Sequence, residues 1–337
     1  MMRRYLAVLL VLCTLGSLCA CGAQPTQTEY SPGDNRLVIY TSHKQEIVQP
    51  IVREFEERTG IWVQIISGGT NELLDRIAAE GNDPQADVMF GGGGESLQAC
   101  SGYFQPYASP ELEYLLPQYR EEDRVWLPFS SLPIVLIYNS KLLSAGQLTG
   151  WNDLLSGSLQ GEIAFADPAL SGSCFTAAVT AGYVCGNMEE TMQTFARQLG
   201  GEICSSSGDI LTAVEEGRKK AGVTLEETAL KQLGPGSDLV MVYPREGTSC
   251  IPDGVAVIRN AKHSENARRF VDFVLSKDVQ QLLARELFRR SVRSDVSADP
   301  ALPEVYAGAA AHYSIEWASA NREKLLSQWA FWFGQED

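Results

Sequence analysis

Three polar, glycine-rich segments in the amino-terminal third of the chain have the residue types needed to bind an anion. They read Thr41-Ser42-His43, Ser67-Gly68-Gly69-Thr70 and Gly91-Gly92-Gly93-Gly94. Glycines let the backbone approach a ligand closely, and amide N–H groups outside regular structure can donate to phosphate or carboxylate oxygens. Each segment alone is equally typical of an ordinary tight turn, but three of them after consecutive strands favour a ligand site.

Further candidate site residues lie in the second half of the chain. Ser and Thr hydroxyl groups can donate to phosphate oxygens, and Glu226 or Glu227 can accept from hydroxyl groups or an amine of the same ligand. Acids in the first turn of a helix are also favoured by the helix dipole alone, so that alternative stays open. The predicted ligand contacts here are Ser171, Gly172, Ser173, Thr224, Glu226, Glu246, Gly247 and Thr248.

Two arginines and a histidine complete the candidate set. Arg290 and Arg293 are candidate charge partners, because a guanidinium group pairs bidentately with phosphate. The two arginines could equally lie on a solvated surface. His43 could equally be a loop residue that caps the next helix.

The elements that must position these residues alternate between strands and helices. Apolar runs predict strands at 37–40, 62–66 and 87–90, and apolar residues at helical spacing predict a helix from Gln45 to Thr59. This alternation predicts βαβ units and a mainly parallel sheet, in which ligands bind beyond the carboxyl ends of the strands. A later strand is predicted at 134–138, after the polar and proline-containing segment 128–131.

Length and charge narrow the class of protein. The chain has 337 residues, which suits two lobes, and its formal net charge of −15 argues against nucleic acid as a partner. The three histidines are scattered, and no H-E-x-x-H, G-x-S-x-G or phosphate-binding P-loop motif occurs, so a binding protein is favoured over an enzyme. No metal or cofactor is predicted, and a monomer is expected.

The amino terminus has the pattern of an export signal. Arg3 and Arg4 precede an apolar stretch that is too short to remain as a membrane-spanning helix. Leu18-Cys19-Ala20-Cys21 resembles the lipobox of bacterial lipoproteins, although a plain signal peptide that is cleaved nearby is the alternative. We therefore predict a signal peptide over 1–20 and a lipid on Cys21. A tether over 21–35 would then hold the protein at the outer face of the cell membrane.

Five cysteines besides the lipidated Cys21 remain after such cleavage, and whether they form disulfides is left open. In an exported protein one or two disulfides can form, but free thiols that are packed like small apolar residues fit equally well. The five are Cys100, Cys174, Cys185, Cys204 and Cys250.

Several motifs in order resemble the ferric-ion and organophosphate group of periplasmic binding proteins with the type II fold. They include Tyr40-Thr41-Ser42-His43-Lys44, Ala86-Asp87-Val88-Met89-Phe90-Gly91-Gly92 and Val242-Tyr243-Pro244-Arg245-Glu246-Gly247-Thr248, within a match from about Leu37 to Val296. The resemblance implies two mixed-sheet α/β lobes joined by a hinge, with the ligand in the cleft between them. It also implies a membrane permease as the partner, within an ABC importer.

Lobe boundaries follow from the same resemblance. The amino-terminal lobe is predicted over 36–130 and 253–296, and the carboxyl-terminal lobe over 131–252. Helices in 297–337 are expected to pack on the second lobe.

The ligand class depends on how the chain departs from the ferric members of this group. Those members hold iron with a histidine, an acid after the third strand and two adjacent tyrosines. Here the position of the acid falls in Gly91–Gly94, and the chain contains no Tyr-Tyr pair. A phosphorylated or phosphonate organic anion is therefore predicted. Ferric iron is one alternative, and presentation of the ligand to a membrane sensor kinase is another.

Overall fold

The structure, a computed structural model, describes residues 35–120, 125–300 and 302–334. The predicted signal peptide and Cys21 lie outside the described residues. Among the described residues, no helix is both long and apolar enough to span a bilayer.

The strands of the described residues form one continuous hydrogen-bonded sheet. Its order is β2-β1-β3-β8-β4-β6-β5, and β7 and β9 also pair with β4. The strands are β1 (Arg36–Thr41), β2 (Trp62–Ser67), β3 (Val88–Gly93), β4 (Leu127–Asn139), β5 (Ile163–Ala164), β6 (Ala221–Leu225), β7 (Leu239–Val242), β8 (Cys250–Val257) and β9 (Arg290–Ser291).

Helices connect most of the strands and cover the sheet. They are α1 (Gln45–Thr59), α2 (Thr70–Glu80), α3 (Gly94–Ala99), α4 (Trp151–Leu154), α5 (Gly172–Cys185), α6 (Met188–Gln198), α7 (Ser207–Glu215), α8 (Glu226–Leu230), α9 (Ser264–Leu275), α10 (Lys277–Glu286), α11 (Ile315–Ala320) and α12 (Arg322–Phe333). Short 3-10 helices lie at Ser101–Tyr103, Pro110–Tyr114, Pro117–Tyr119 and Gly308–His312.

Strand β4 divides the sheet into two regions. Residues 127–133 of β4 pair with β8 and β9, whereas residues 134–139 pair with β6 and β7. We call β1–β3, β8, β9 and residues 127–133 the first sheet region, and β5–β7 with residues 134–139 the second sheet region. Pro128 lies at a shift in the β4–β8 register, where a residue without an N–H group is tolerated.

The sheet is mixed rather than mainly parallel. Strand β1 runs parallel to β2 and β3, and β5 runs parallel to β6, as the alternation of strands and helices predicts. Strand β8 runs antiparallel to β3 and β4, and β6 and β7 run antiparallel to β4. The antiparallel pairs arise because β4 and β8 return from one region to the other without a helical crossover of the βαβ type.

Each sheet region has its own apolar core. In the first region, Phe55 of α1 and Phe90 of β3 both contact Phe270 of α9, with ring centroids 5.2 and 5.3 Å apart. In the second region, Phe165 lies 4.6 Å from Phe195 and 5.7 Å from Trp329 between ring centroids. These aromatic rings fix the helices on the sheet and thereby fix the loops at the strand ends.

The carboxyl-terminal segment 302–334 contacts both regions. Leu325, Trp329 and Trp332 of α12 are buried in the core of the second region. Ile315, at the start of α11, instead packs against the buried cluster that contains Tyr40 of the first region. The segment therefore joins the two regions outside the sheet.

Candidate ligand-binding site

A cavity of about 530 Å³ opens between the two sheet regions. Residues at or just beyond the carboxyl ends of β1, β2, β3, β5 and β6 line it. The volume lies within the range of small-molecule sites, roughly 300–1,000 Å³. This is the position that the sequence predicts for a ligand.

Most of the predicted site residues meet at this cavity. They come from three loop-to-helix segments and from the carboxyl ends of β3 and β6, in both sheet regions. The predicted residues that line the cavity are Ser42, His43, Gly69, Thr70, Gly92, Gly93, Ser171, Gly172, Ser173 and Thr224.

Four helices direct their amino-terminal ends at the cavity. Lys44, Gly69, Ser171 and Ser206 immediately precede α1, α2, α5 and α7, and all four line the cavity. The first N–H groups of a helix have no partner within it, and the helix dipole makes this end positive. Glu72 accepts from the N–H of Gly69 at 3.2 Å, so this amide is used locally, and the next residues of α2 supply the unused donors. The arrangement favours an anionic ligand.

Two glycines at the carboxyl end of β3 allow the loops after β1 and β2 to approach this strand closely. Gly91 and Gly92 have φ angles of 105° and 95°, which favour glycine. A Cβ atom on Gly91 would lie 2.8 Å from Ser42 Oγ, and one on Gly92 would lie 2.9 Å from Thr70 Cγ2. Any larger residue would therefore displace the side chains of the two neighbouring loops.

A buried charge cluster around Arg289 forms part of the cavity wall. Arg289 Nη1 lies 2.5 Å from Asp253 Oδ2, and Nη2 lies 3.5 Å from Glu227 Oε1. Lys231 Nζ lies 2.6 Å from the other oxygen of Glu227. The Arg289 side chain is 4% exposed, and its Nε has no hydrogen-bond partner within the described residues. This nitrogen is itself buried, so Arg289 acts on the cavity through its positive charge.

His43 is a neutral polar group in the same wall. Burial lowers its pKa well below the usual value, and the nearby positive charge of Arg289 lowers it further. Its Nε2 lies 3.6 Å from Asp253 Oδ2 and has no hydrogen-bond partner within the described residues. Burial acts to raise the pKa of Glu227, but Arg289 and Lys231 outweigh it and lower that pKa, so Glu227 is ionised.

Three predicted residues of the first sheet region lie behind the cavity rather than on its surface. Thr41 is fully buried, and its Oγ1 accepts from the N–H of His43 at 3.2 Å. The N–H of Gly68 donates to the carbonyl of Thr41 at 3.2 Å. Gly91 lies directly against the side chains of Ser42 and His43. These residues shape the loops but do not line the cavity.

Glu226 is also absent from the cavity wall, because it forms a separate buried ion pair. Arg290 donates to both of its carboxylate oxygens at 2.8 Å, and the hydroxyl of Tyr243 donates to Oε1 at 2.5 Å. Arg293 pairs with Glu111 and Asp295. The two predicted arginine partners of the ligand are thus occupied elsewhere.

The loop after β7 is not at the cavity either. The Glu246 carboxylate accepts from the N–H groups of Trp151 and Asn152 at 3.1 and 3.2 Å, at the start of α4. The Thr248 hydroxyl donates to the carbonyl of Ile134 at 2.7 Å. A Cβ atom on Gly247 would lie 2.3 Å from the carbonyl oxygen of Ala307. This loop therefore binds the carboxyl-terminal segment, which sequence reasoning did not foresee.

Several cavity residues were not predicted from the sequence. Ser205-Ser206-Ser207-Gly208 follows an extended segment and begins a helix, which is the pattern that identified the other loops, so it could have been found. Asp253 and Arg289 follow no such pattern, because they reach the cavity only through strand pairing and the chain path after α10. The unpredicted lining residues include Lys44, Asp167, Ser205, Ser206, Ser207, Gly208, Asp253 and Arg289.

Thr176 connects the cavity wall to the carboxyl-terminal segment. It lines the cavity from α5, and its hydroxyl donates to Glu95 Oε1 of α3 at 2.8 Å. The hydroxyl of Tyr313 donates to the same oxygen of Glu95. Burial raises the pKa of Glu95, and both hydroxyl donors act against that rise.

The described residues show no arrangement for a metal. Within 35–120, 125–300 and 302–334, no group of three or more His, Cys, Asp or Glu residues is placed to hold a metal ion. The five described cysteines are free thiols.

Sequence comparisons identify the family of this chain. The family model for bacterial extracellular solute-binding proteins matches residues 37–289. Iron uptake protein A1 of Synechocystis sp. is 26% identical over 302 residues, which cover 83% of this chain and 82% of that protein. A putative 2-aminoethylphosphonate-binding periplasmic protein of Salmonella typhi is 22% identical over 250 residues, covering 72% and 73% of the two chains.

Solved structures share the fold. The periplasmic binding protein AfuA from Actinobacillus pleuropneumoniae, with fructose 6-phosphate bound, superposes with a TM-score of 0.79 at 24% identity, covering 89% of this chain and 99% of AfuA. A two-component system protein that mediates signal transduction has a TM-score of 0.71 at 26% identity, covering 79% and 90%. The predicted type II periplasmic binding protein fold is thereby confirmed.

Proposed function

The chain belongs to the bacterial extracellular solute-binding proteins, and we propose that it captures a small phosphorylated or phosphonate organic anion for an ABC importer. The observation that carries this proposal is the convergence of four helix amino-terminal ends and the buried Arg289 on one cavity. Each helix end supplies N–H groups that have no partner within the helix and a positive potential, and Arg289 adds a cation that Asp253 and Glu227 hold in the cavity wall.

We propose that the two sheet regions are the two predicted lobes and that they close on the ligand. A ligand favours closure only if it contacts both sides, and both regions contribute anion donors to the cavity. Direct contacts already cross between them. The side-chain amide of Asn71 donates to the carbonyl of Ala169 at 2.6 Å, and Lys231 lies 2.8 Å from Glu46.

Two relatives differ in the ligand that their names state, so the ligand class needs an argument from this chain. Hard Fe(III) favours phenolate and carboxylate oxygens. No tyrosine lines the described cavity, and the Asp253 and Glu227 carboxylates already contact Arg289, Ser130 and Lys231. Serine hydroxyls and helix amino-terminal ends are donors, and donors suit phosphate oxygens. We therefore rank the organic phosphate or phosphonate above ferric iron.

A thermal-shift panel on the purified protein tests the ligand class. Fructose 6-phosphate, 2-aminoethylphosphonate, inorganic phosphate, fructose and ferric citrate are compared at equal concentration. A ligand that binds only the native state raises its stability by RT ln(1 + [L]/Kd), so at least one organic phosphate or phosphonate should raise the Tm. Small-angle scattering should show a smaller radius of gyration with the same compound.

The iron alternative predicts the opposite pattern. An intense visible absorption band on adding ferric citrate, with no Tm shift from any phosphate or phosphonate, would overturn the anion proposal. A shift from fructose that equals the shift from fructose 6-phosphate would also overturn it, because the phosphate would then contribute nothing.

We further propose that the mature protein is a monomer tethered outside the cell membrane by a lipid on Cys21. Mass spectrometry of the amino-terminal peptide should show a lipid on Cys21, and Cys21→Ser should release the protein from the membrane fraction. Release of the unaltered protein would contradict the anchor. Loss of uptake of a bound compound on deletion of the protein would support a permease partner. Loss of a kinase response with normal uptake would favour the sensor role.

A further inference from the structure

Aliphatic side chains make up a large part of the cavity wall and bear on the body of the ligand. Leucine and isoleucine side chains come from α1, β4, β6, β8 and the loops before α5 and α7. They are Ile47, Leu132, Leu170, Ile203, Leu225 and Ile251. The helix ends and Arg289 are the groups that interact with the anionic part of the ligand. An apolar wall of this extent is not needed for that interaction.

Two of these side chains form an apolar strip on the sheet. Leu132 of β4 and Ile251 of β8 are direct partners in the antiparallel register. Cross-strand partners point to the same face of a sheet and contact each other. Both are partly exposed and line the cavity, so this strip faces the ligand rather than a protein core.

Two other side chains expose apolar surface at the cavity. Leu170 is 73% exposed and immediately precedes Ser171 at the start of α5, and Ile203 is 41% exposed and precedes the serine loop before α7. Exposed apolar surface is costly in water, and a ligand with an apolar body would cover it. The apolar residues thus lie directly beside the anion donors of the second sheet region.

Most carboxylate oxygens of the cavity wall already have protein partners, which leaves few charged acceptors for the hydroxyl groups of a polyol. Oδ1 of Asp167 accepts from the N–H of Ala169 at 2.8 Å. Asp253 Oδ1 accepts from the N–H and hydroxyl of Ser130, and its Oδ2 pairs with Arg289. Glu227 pairs with Arg289 and Lys231. Among the described lining residues there is no Asn or Gln, and His43 is the sole aromatic residue. A polyol would therefore exchange water mainly for serine and threonine hydroxyls, which bind less strongly than the charged acceptors of a carboxylate.

We propose that the ligand carries its oxyanion on a hydrocarbon body, as in an alkyl or aryl phosphonate or phosphate monoester, rather than on a polyol. This inference rests on the proposed capture of a phosphorylated or phosphonate anion at the same cavity. It specifies the chemical class of the organic body that carries the oxyanion, which the helix ends do not determine.

Isothermal titration of the purified protein with three compounds of similar charge tests the inference. Butylphosphonate should bind roughly tenfold or more tightly than methylphosphonate, because its added methylene groups are removed from water. It should also bind more tightly than fructose 6-phosphate. Burial of apolar surface should give butylphosphonate the more negative heat-capacity change.

Variants at Leu170 and Ile203 test whether these two side chains cause the tighter binding of butylphosphonate. Leu170→Ser and Ile203→Ser should each weaken butylphosphonate binding by about three- to tenfold and leave methylphosphonate binding unchanged. Leu142→Ser is the matched control, because Leu142 is 42% exposed and does not line the cavity. It should change neither affinity. Because these side chains are exposed, the Tm of each variant should stay near that of the unaltered protein.

The outcomes separate this inference from the function on which it rests. Equal affinities for methylphosphonate and butylphosphonate, or tighter binding of fructose 6-phosphate, would overturn the hydrocarbon body and leave anion capture intact. If no phosphonate, organic phosphate or inorganic phosphate binds, both the inference and the proposed function are wrong.

Discussion

Two segments at the carboxyl ends of strands each contain a glycine with a positive φ angle, but the two glycines have different neighbours. The carboxyl end of β3 contains Gly92, with φ of 95°, and lies on the ligand cavity. The loop after β7 contains Gly247, with φ of 114°, and presses against the backbone at 307–308. Both glycines are required for close approach, but one approaches neighbouring ligand loops and the other the carboxyl-terminal segment.

The difference shows how much about a glycine's structural role can be inferred from the sequence alone. A glycine after a strand indicates that something must come close, because a Cβ atom would not fit or the φ angle is positive. The identity of the neighbour depends on distant parts of the chain. At Gly247 the neighbour is a segment about sixty residues later, which no local pattern reveals.

The largest expected effect comes from Arg289, which serves the cavity and the fold together. Arg289→Met leaves Asp253 and Glu227 without their shared cation. We expect the free energy of unfolding to fall by about 3–5 kcal/mol, measured by urea denaturation, and binding of any phosphate or phosphonate found in the thermal-shift panel to be lost.

Arg290→Met is the matched control for that substitution. It breaks the buried pair with Glu226, so stability should fall, but Arg290 does not line the cavity and the affinity should remain. Equal losses of affinity in both variants would show that the weaker binding results from lower stability and not from the loss of Arg289 at the cavity.

The next largest effect tests the loop after β7. Gly247→Ala places a Cβ atom 2.3 Å from the Ala307 carbonyl oxygen at a strained φ, so we expect a loss of about 3 kcal/mol or more in the free energy of unfolding. Gly60→Ala has a positive φ of 66° but open space, and should cost about 1–2 kcal/mol. Both variants should retain ligand affinity when folded. A similar cost for the two would mean that the contact with residues 307–308 is unimportant.

His43 gives a pH-dependent test of the cavity wall. Its folded-state pKa lies well below the usual 6.5, so below pH 6.5 the unfolded chain binds more protons and stability falls as the pH falls. Between pH 7 and 5 this group should contribute a slope approaching about 1.4 kcal/mol per pH unit. His43→Gln should remove that slope in urea denaturation, and exposed His312→Gln should not. Identical slopes in all three proteins would contradict a buried, neutral His43.

The smallest expected effect concerns Gly92. Gly92→Ala should lower stability by about 1–2 kcal/mol, as Gly60→Ala does, because both positions have positive φ. In addition, the new Cβ atom would displace Thr70, which lines the cavity, and weaken binding roughly tenfold, or by about 1.4 kcal/mol. Unchanged affinity would place the ligand away from the β3 loop.

Sequence reasoning predicted the local elements well where one pattern sufficed. The helix at Gln45–Thr59 and the first three strands agree with the structure within a few residues, because a continuous apolar run or a helical period determines each. The strand at 134–138 was predicted too short. The prolines and serines before it are typical of a loop, but pairing with β8 extends β4 back to Leu127.

The site could be predicted only in part, for a related reason. Helix starts after glycine or serine loops follow from local sequence, and these residues do line the cavity. Arg289 and Arg290 are adjacent and chemically identical, yet one contacts Asp253 at the cavity and the other Glu226. Neighbouring residues in extended chain point to opposite sides, so which of the two faces the ligand depends on strand register.

Strand β4 also limits the order in which the chain can fold, because the chain is synthesised from its amino terminus. Four strands, β6, β7, β8 and β9, pair with β4, and all four follow it in sequence. Residues 127–133 gain their partners only when residues 250–255 and 290–291 are present. Such distant pairings are formed slowly, so β4 must remain without its partners until most of the polypeptide is available, whereas β1, β2 and β3 can pair with one another earlier. The first sheet region is therefore completed only after the strands of the second region have been synthesised, because residues 250–255 and 290–291 follow β5, β6 and β7 in the chain.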